Sequence, residues 1–342
     1  MIDASRALAP FDTGTKPAVA VTRGGIVESE HFIRHALAES DGTIVSSVGD
    51  IDGPTFMRSS AKPLIGVVVV RSGAADRFGL TDEELAVAVG SHSGEPHHVA
   101  AVRSILAKIG LDENVLACGP HPPLHEPSAK ALDAQGVEPG RVHNNCSGKH
   151  AAILALAVHR GASPRGYLEV SHPAQNEVLD GCAQLLDVAR SSIAIGVDGC
   201  GIPVIGVPLR AAAVCYARFG DAARFGTEWK RSVERIVHAM IEYPQYVAGT
   251  GRFDTDLMSA ANGAIASKGG AEGYHATAAL KRAVGLAVKV ADGSYRAVSP
   301  FVLETLDQHG ILAAAQLEAL ARHRRPKIKN YAGAVVGEII AL

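Results

Sequence analysis

No stretch of this 342-residue sequence approaches the ~20 consecutive apolar residues of a membrane-spanning helix. The first residues, Met1 to Arg6, lack the basic start and apolar run of a secretory signal, so a cytoplasmic location is expected. No basic cluster stands out and the formal net charge is -2, which argues against nucleic acid and anionic membrane as partners. Cysteine is scarce. Cys118, Cys146, Cys182, Cys200 and Cys215 are odd in number and irregular in spacing, which speaks against a disulfide framework and fits a reducing compartment. Cys-x-x-Cys and His-Glu-x-x-His patterns, internal repeats, low-complexity segments and long linkers are all missing.

What is present is the composition of a well-folded globular chain, with 47% hydrophobic and 20% charged residues. Its length suits one large enzyme fold or two lobes sharing a cleft. Residues 1–15 read as a loose leader. Strand signals at 17–23 and 26–31 around Gly24-Gly25 form a hairpin, and 41–50 repeats the signal. Helical patterns follow at 63–72, 81–90, 97–109, 129–134, 151–158, 173–189 and 228–243, with short strands at 192–200 and 202–207. A helix at 254–266 runs into the turn-rich 267–273. The tail mixes strand signals at 288–290 and 295–298 with helices at 300–310 and 313–323, and ends in the apolar 332–342.

Strands first, helices in the middle and strands again late predict an α+β fold, its sheet built from N- and C-terminal strands flanked by helices, with a helical lobe inserted. The expected layout is one two-lobed catalytic domain, with a sheet lobe at about 16–57 and 270–342 and a helical lobe at about 58–269. This is the chain order of the serine β-lactamase and glutaminase-like hydrolases, whose nucleophile lies where the sheet meets the helical lobe.

Arg58-Ser59-Ser60-Ala61-Lys62-Pro63 occupies that junction. If Ser59 begins a helix, Lys62 lies one turn later on the same face, a nucleophile beside a base. Lysine serves as a base when a partly dry site lowers its pKa, and the apolar run 64–70 supplies such a wall. The Ser-x-x-Lys pattern is that of penicillin-recognising enzymes, which add a late Lys-Thr-Gly; here Lys268-Gly269-Gly270 stands in its place, with Gly269 where a hydroxyl residue is expected. Ser91-His92-Ser93-Gly94-Glu95-Pro96-His97-His98 gathers hydroxyls, histidines and a carboxylate at a helix start, where helix capping is the alternative use. Cys146-x-x-Lys149 and Asp198-Gly199-Cys200-Gly201 offer two thiols. With a third donor, His150 or His143 on chemical grounds, they would suit zinc; ordinary burial of free cysteine is the alternative.

Taken together with His143-Asn144-Asn145-Cys146-Ser147-Gly148-Lys149-His150, Asp198-Gly199-Cys200-Gly201-Ile202-Pro203 and Lys268-Gly269-Gly270-Ala271-Glu272-Gly273, these blocks resemble the Rhizobium etli-type L-asparaginases. The resemblance runs from about Val19 to the C-terminus. It implies an amidohydrolase with a β-lactamase-like fold, a homodimer, and two serine–lysine tandems, Ser59-Lys62 and Ser91-Lys268, facing one pocket with Ser59 as nucleophile. It further implies a zinc ion on Cys146, Lys149 and Cys200, Asp198 at the substrate ammonium, and Arg58 close to the active serines. The expected reaction is hydrolysis of L-asparagine to L-aspartate and ammonia.

Three other readings compete. A glutaminase differs by one methylene in the substrate, worth only ~1–3 kcal/mol of discrimination. A penicillin-interacting serine hydrolase is disfavoured by Gly269. A zinc-dependent amino-acid-binding protein would keep the pocket without turnover. Lysine bases predict an activity that rises with pH to an alkaline optimum.

Overall fold

The computed structural model describes residues 12–14 and 16–342; the rest of the leader expected at 1–15 lies outside them. Among the described residues, no helix is long and apolar enough to cross a membrane.

The architecture is α+β. Its centre is a five-stranded antiparallel sheet in the order β4-β3-β10-β9-β8, built from β3 (Ile33–Glu39), β4 (Ile44–Val48), β8 (Ile265–Gly269), β9 (Tyr274–Ala279) and β10 (Val284–Val290). N- and C-terminal strands thus share one sheet, with β3 paired along its whole length to β10. The hairpin β1 (Val19–Arg23) and β2 (Ile26–His31) turns through Gly24 and Gly25, both at positive φ as a tight two-residue turn requires. It forms a second sheet with β11 (Lys327–Lys329) and β12 (Val335–Ala341). A third, small sheet joins β5 (Pro54–Phe56), β7 (Pro203–Pro208) and β6 (Ala194–Val197).

The central sheet is covered on both faces, and side-chain size differs between them. Leu37, Leu286 and Val288 pack with Val298, Val302 and Leu306 of the Val298–Gln308 helix. The opposite face is lined by Ala36, Ala38, Ala276, Ala278 and Ala287, and the Leu209–Ala217 helix lies on it. At Gly285 the approach is so close that a β-carbon would stand 2.0 Å from the Ala213 carbonyl oxygen. Gly285→Ala is therefore expected to cost ~1–3 kcal/mol or more, seen as a lower midpoint in urea or thermal unfolding. An unchanged midpoint would mean that helix and sheet are not seated this closely.

The Lys62–Arg71 helix runs among other helices, and its residues from Lys62 to Val70 are all buried. Helices Ser147–His159, Pro173–Leu186 and Thr227–Glu242 surround it. An apolar run that is hydrophobic all round makes a central helix. Pro63 near its start needs no amide donor there, and the helix begins at Lys62.

Several expectations need correction. β3, β5, β9 and the Leu209–Ala217 helix have no counterpart in the pattern reading. The helix expected at 254–266 ends at Ala261, because Asn262 and Gly263 adopt left-handed backbone, and the chain then enters β8. Lys268 and Gly269 consequently lie on a strand at the sheet edge instead of in a loop. The segment at 295–298 is a short 3-10 turn, Tyr295–Ala297, and not a strand.

Candidate active site

Five segments meet at the edge of the central sheet. The first is the 3-10 turn Arg58–Ala61, entered through Arg58 at φ 50°, a left-handed value uncommon for a residue with a β-carbon. Ser60 anchors this turn: its hydroxyl donates to the Lys268 carbonyl at 2.6 Å, while its own carbonyl accepts from the Tyr216 hydroxyl at 2.7 Å. Ser59, its neighbour, is half-buried and makes no side-chain hydrogen bond among the described residues. It lines an open pocket of about 680 Å³ together with Arg58, Asn145, Cys146, Asp198 and Cys200.

Lys62 and Lys268 converge on Ser91. The Lys62 ammonium donates to the Ser91 hydroxyl at 3.0 Å, to the Gly90 carbonyl at 2.5 Å and to the Asn145 carbonyl at 3.3 Å. Lys268 donates to the same hydroxyl at 3.0 Å and to the Gly269 carbonyl at 2.6 Å. The fold thus brings Ser91 and Lys268 together. Lys62, drawn inward by its burial, bonds to Ser91 and not to Ser59. Two buried amines sharing one hydroxyl disfavour double protonation. Burial lowers the Lys268 pKa to about 7, with Lys62 and Arg252 adding to the effect and Asp254 opposing it. Burial lowers that of Lys62 as well.

The histidines beside Ser91 serve the loop's architecture. His92 accepts the Gly94 amide at Nδ1 and pairs with the Ser147 hydroxyl through Nε2, 2.8 Å away. His98 accepts the Glu95 amide and faces the Gln245 carbonyl at 2.8 Å. Burial keeps both neutral, His98 pushed down to about 4. Glu95, His97 and His98 bring one ligand atom each within 4.8 Å of one another. Glu95, however, is already occupied by the Thr250 amide and hydroxyl, and His98 Nδ1 is taken by the Glu95 amide at the start of the Pro96–Lys108 helix.

On the other side of the pocket, the start of the Ser147–His159 helix and the turn after β6 bring Cys146, Lys149, Asp198 and Cys200 together. Lys149 Nζ lies 3.1 Å from Cys200 Sγ and 3.8 Å from Asp198 Oδ2. Arg58 donates to Asp198 Oδ1 through Nε at 3.0 Å and contacts it through Nη2 at 2.9 Å. Burial opposes ionisation of Asp198, but Lys149 and Arg58 together hold its carboxyl below the usual range. A hydrogen bond from Cys200, with the charges of Lys62 and Lys149, pushes the Cys146 thiol well down against the effect of burial, and the Cys200 thiol moves up in exchange.

Two buried thiols and an amine are a donor set that suits zinc once the amine has lost its proton. Among the described residues no histidine, carboxylate or third cysteine completes a set with these thiols. The extra ligands expected on chemical grounds do not join the thiols: Nδ1 of His143 accepts the Gly140 amide and Nδ1 of His150 is bonded to the Tyr167 hydroxyl at 2.6 Å. Although His150 Nε2 is buried without a hydrogen-bond partner among the described residues, neither ring forms with the two thiols a group whose ligand atoms lie within 4.8 Å of one another. Lys149 is the nitrogen that remains.

Sequence patterns missed Ser60 and a buried acid, Asp254, whose carboxylate accepts the Gly269 amide at 2.8 Å. The glycine in Lys268-Gly269-Gly270 also finds its cause, since a β-carbon at 269 would lie 2.3 Å from the Tyr295 hydroxyl.

The model of the family described as L-asparaginase II matches residues 19–341. No curated protein sequence matches. Among solved structures, Mglu in its native form in 4.3 M NaCl is similar at 17% identity and a TM-score of 0.37, over 82% of this chain and 61% of Mglu. A beta-lactamase from Mycobacterium bovis is similar at 14% identity and a TM-score of 0.40, over 85% of this chain and 95% of its own. The chain therefore spans about six-tenths of the length of Mglu.

Proposed function

The chain belongs to the L-asparaginase II family, and we propose that it hydrolyses the side-chain amide of L-asparagine to L-aspartate and ammonia through a serine nucleophile served by Lys62, Ser91 and Lys268. The observation that carries this reading is the Ser91 hydroxyl held at 3.0 Å by two buried lysines, one of which, Lys62, also reaches the carbonyl of Asn145, a residue that lines the open pocket with Ser59. Ser59 is the serine whose hydroxyl is uncommitted and lines that pocket, so it is assigned as the nucleophile.

In the proposed cycle a neutral amine accepts the Ser59 proton, with Lys62 next to receive it and Ser91 linking Lys62 to Lys268. Ser59 Oγ bonds to the side-chain carbonyl carbon, and the resulting oxyanion is steadied by backbone N–H groups of the turn. The lysine returns the proton to the leaving nitrogen as the C–N bond breaks, releasing ammonia and leaving an ester on Ser59. Water, deprotonated by the same amine, cleaves that ester to aspartate and restores the serine. Asp198 would take the substrate ammonium and Arg58 would face its carboxylate. A second reading makes Ser91 the nucleophile, and its bonds to both lysines favour it.

Zinc belongs to the same proposal. Cys146, Lys149 and Cys200 would hold it, and it would supply a fixed positive charge next to the substrate's polar groups. The purified protein is expected to carry about one zinc per chain, as a two-thiolate site would bind it. Cys200→Ser should lower the metal content while leaving the unfolding midpoint close to wild type. A protein never exposed to chelator that contains no zinc would return both cysteines to the core.

Ammonia release from asparagine, from glutamine and, as a control, ring opening of a chromogenic β-lactam test the reaction class. Asparagine turnover well above the other two is the expected result. Preference for glutamine would make the protein a glutaminase, and binding of asparagine without turnover would make it a binding protein.

A further inference from the structure

We infer that Asp254 is the positioning residue that holds Lys268 at Ser91, an inference that rests on the serine–lysine reading above. Asp254 sits at the start of the Phe253–Ala261 helix and is only 4% exposed. Its Oδ2 accepts the Gly269 N–H at 2.8 Å, and its Oδ1 accepts the Ser267 hydroxyl at 2.8 Å and meets His275 Nε2 at 3.1 Å. Ser267 and Gly269 flank Lys268 on β8, and His275 is the β9 residue paired with Gly269. One carboxylate therefore fixes the strand on both sides of the lysine.

The need for such a clamp follows from topology. β8 is the edge of the sheet, with a ladder partner on one side only. An edge strand has unpaired amides and little to hold its register. Here the peptide group between Lys268 and Gly269 is gripped at both ends: its carbonyl accepts from Ser60 and its N–H donates to Asp254. Lys268 Nζ in turn reaches the Gly269 carbonyl at 2.6 Å. The backbone under the lysine is thereby tied to the turn that carries Ser59.

His275 completes the network without a loose end, its Nδ1 lying 3.2 Å from the Thr277 hydroxyl and its Nε2 shared between Asp254 and Ser267. Burial opposes ionisation of Asp254, but His275, Lys268 and the Gly269 amide keep it charged. That charge favours protonated Lys268, as does Cys146, whereas burial, Lys62 and Arg252 favour the neutral amine. Asp254 thus has two separable effects on Lys268, on place and on proton affinity.

Asp254→Asn separates them, because the amide keeps the shape, offers one acceptor where two are needed, and carries no charge. In the full-length chain, kcat for asparagine should fall roughly 10²-fold, as for a misplaced catalytic group, with KM changed far less. The acid limb of the pH profile should move to lower pH, since an uncharged neighbour no longer favours the ammonium. A substrate-free readout accompanies it: the 15Nζ resonance of Lys268, identified by its loss in Lys268→Arg, should titrate at lower pH in Asp254→Asn than in wild type. If the protein turns over no asparagine, the hydrolase reading fails and the resonance alone decides this inference. An unmoved titration, or full kcat in Asp254→Asn, would overturn it. Should that variant fail to fold, Ser267→Ala removes one bond of the clamp and leaves the carboxylate. A several-fold loss of kcat with the pH limb in place is then expected, and wild-type kcat would overturn the clamp.

Discussion

Ser59→Ala is expected to lower asparagine turnover by about four orders of magnitude or more, the scale on which loss of a catalytic serine is felt. The fold should not suffer, because the hydroxyl makes no side-chain hydrogen bond among the described residues and the turn is held by Ser60 instead. Steady-state ammonia release and an unchanged unfolding midpoint check both halves. Ser91→Ala should also be inactive but for another reason: it strips both lysines of their shared partner and breaks the link between Lys62 and Lys268. Its midpoint should fall, since buried amines are left short of an acceptor. Wild-type activity in Ser59→Ala would transfer the nucleophile's role to Ser91.

Lys268→Arg is the second large effect. Lys268 shares the Ser91 hydroxyl with Lys62 and so belongs to the same proton relay. Positioned proton transfer contributes roughly 10²–10⁴-fold, and a guanidinium stays protonated throughout the accessible range, so a loss of that size is expected. The pH profile adds the sign. Lys268 has its pKa lowered to about 7, so its ammonium form dominates below that pH and its amine above. Only the amine accepts a proton, so wild-type kcat/KM should rise with pH through about 7. This places the rise closer to neutrality than an ordinary lysine, near ~10.4, would put it. The limb should vanish in Lys268→Arg. A limb that persists unchanged there would mean that Lys268 does not set it and would leave Lys62, the amine assigned to receive the Ser59 proton, as the group that does. His92 and His98 are poor candidates, since burial keeps them neutral and their ring nitrogens are committed to the loop.

The helical lobe was the most legible part of the sequence, and for a physical reason. Helices such as Pro96–Lys108 and Thr227–Glu242 carry one buried and one exposed face, a periodicity that amino-acid types reveal directly. The buried run after Lys62 was legible too, since only a central helix tolerates it. β3 and β9 were not, because both are buried along almost their whole length and show none of the alternation that marks a half-exposed strand. β8 was hidden by its composition: glycines at 269 and 270 signal a turn, whereas in the fold they yield space to Tyr295 and to the Met57 carbonyl.

The candidate site divides along the same line. Ser59, Lys62, Ser91, Lys268 and the Cys146, Lys149, Asp198, Cys200 group lie in dense polar blocks that announce chemistry. Asp254 and Ser60 do not, for their meaning depends on which strand passes beside them. The partner of Lys62 was likewise beyond the pattern: spacing along one turn points it at Ser59, but burial carries its amine inward to the carbonyls of Gly90 and Asn145 and to Ser91.

The central claim is a covalent aspartyl ester on one serine, and rapid acid quench during turnover of asparagine followed by peptide mass mapping tests it most directly. The account predicts a peptide containing Ser59 that is heavier by one aspartyl group, absent from Ser59→Ala and from enzyme quenched without substrate. An aspartyl group found on Ser91, or turnover with no acylated serine under conditions where ester formation outpaces hydrolysis, would contradict it.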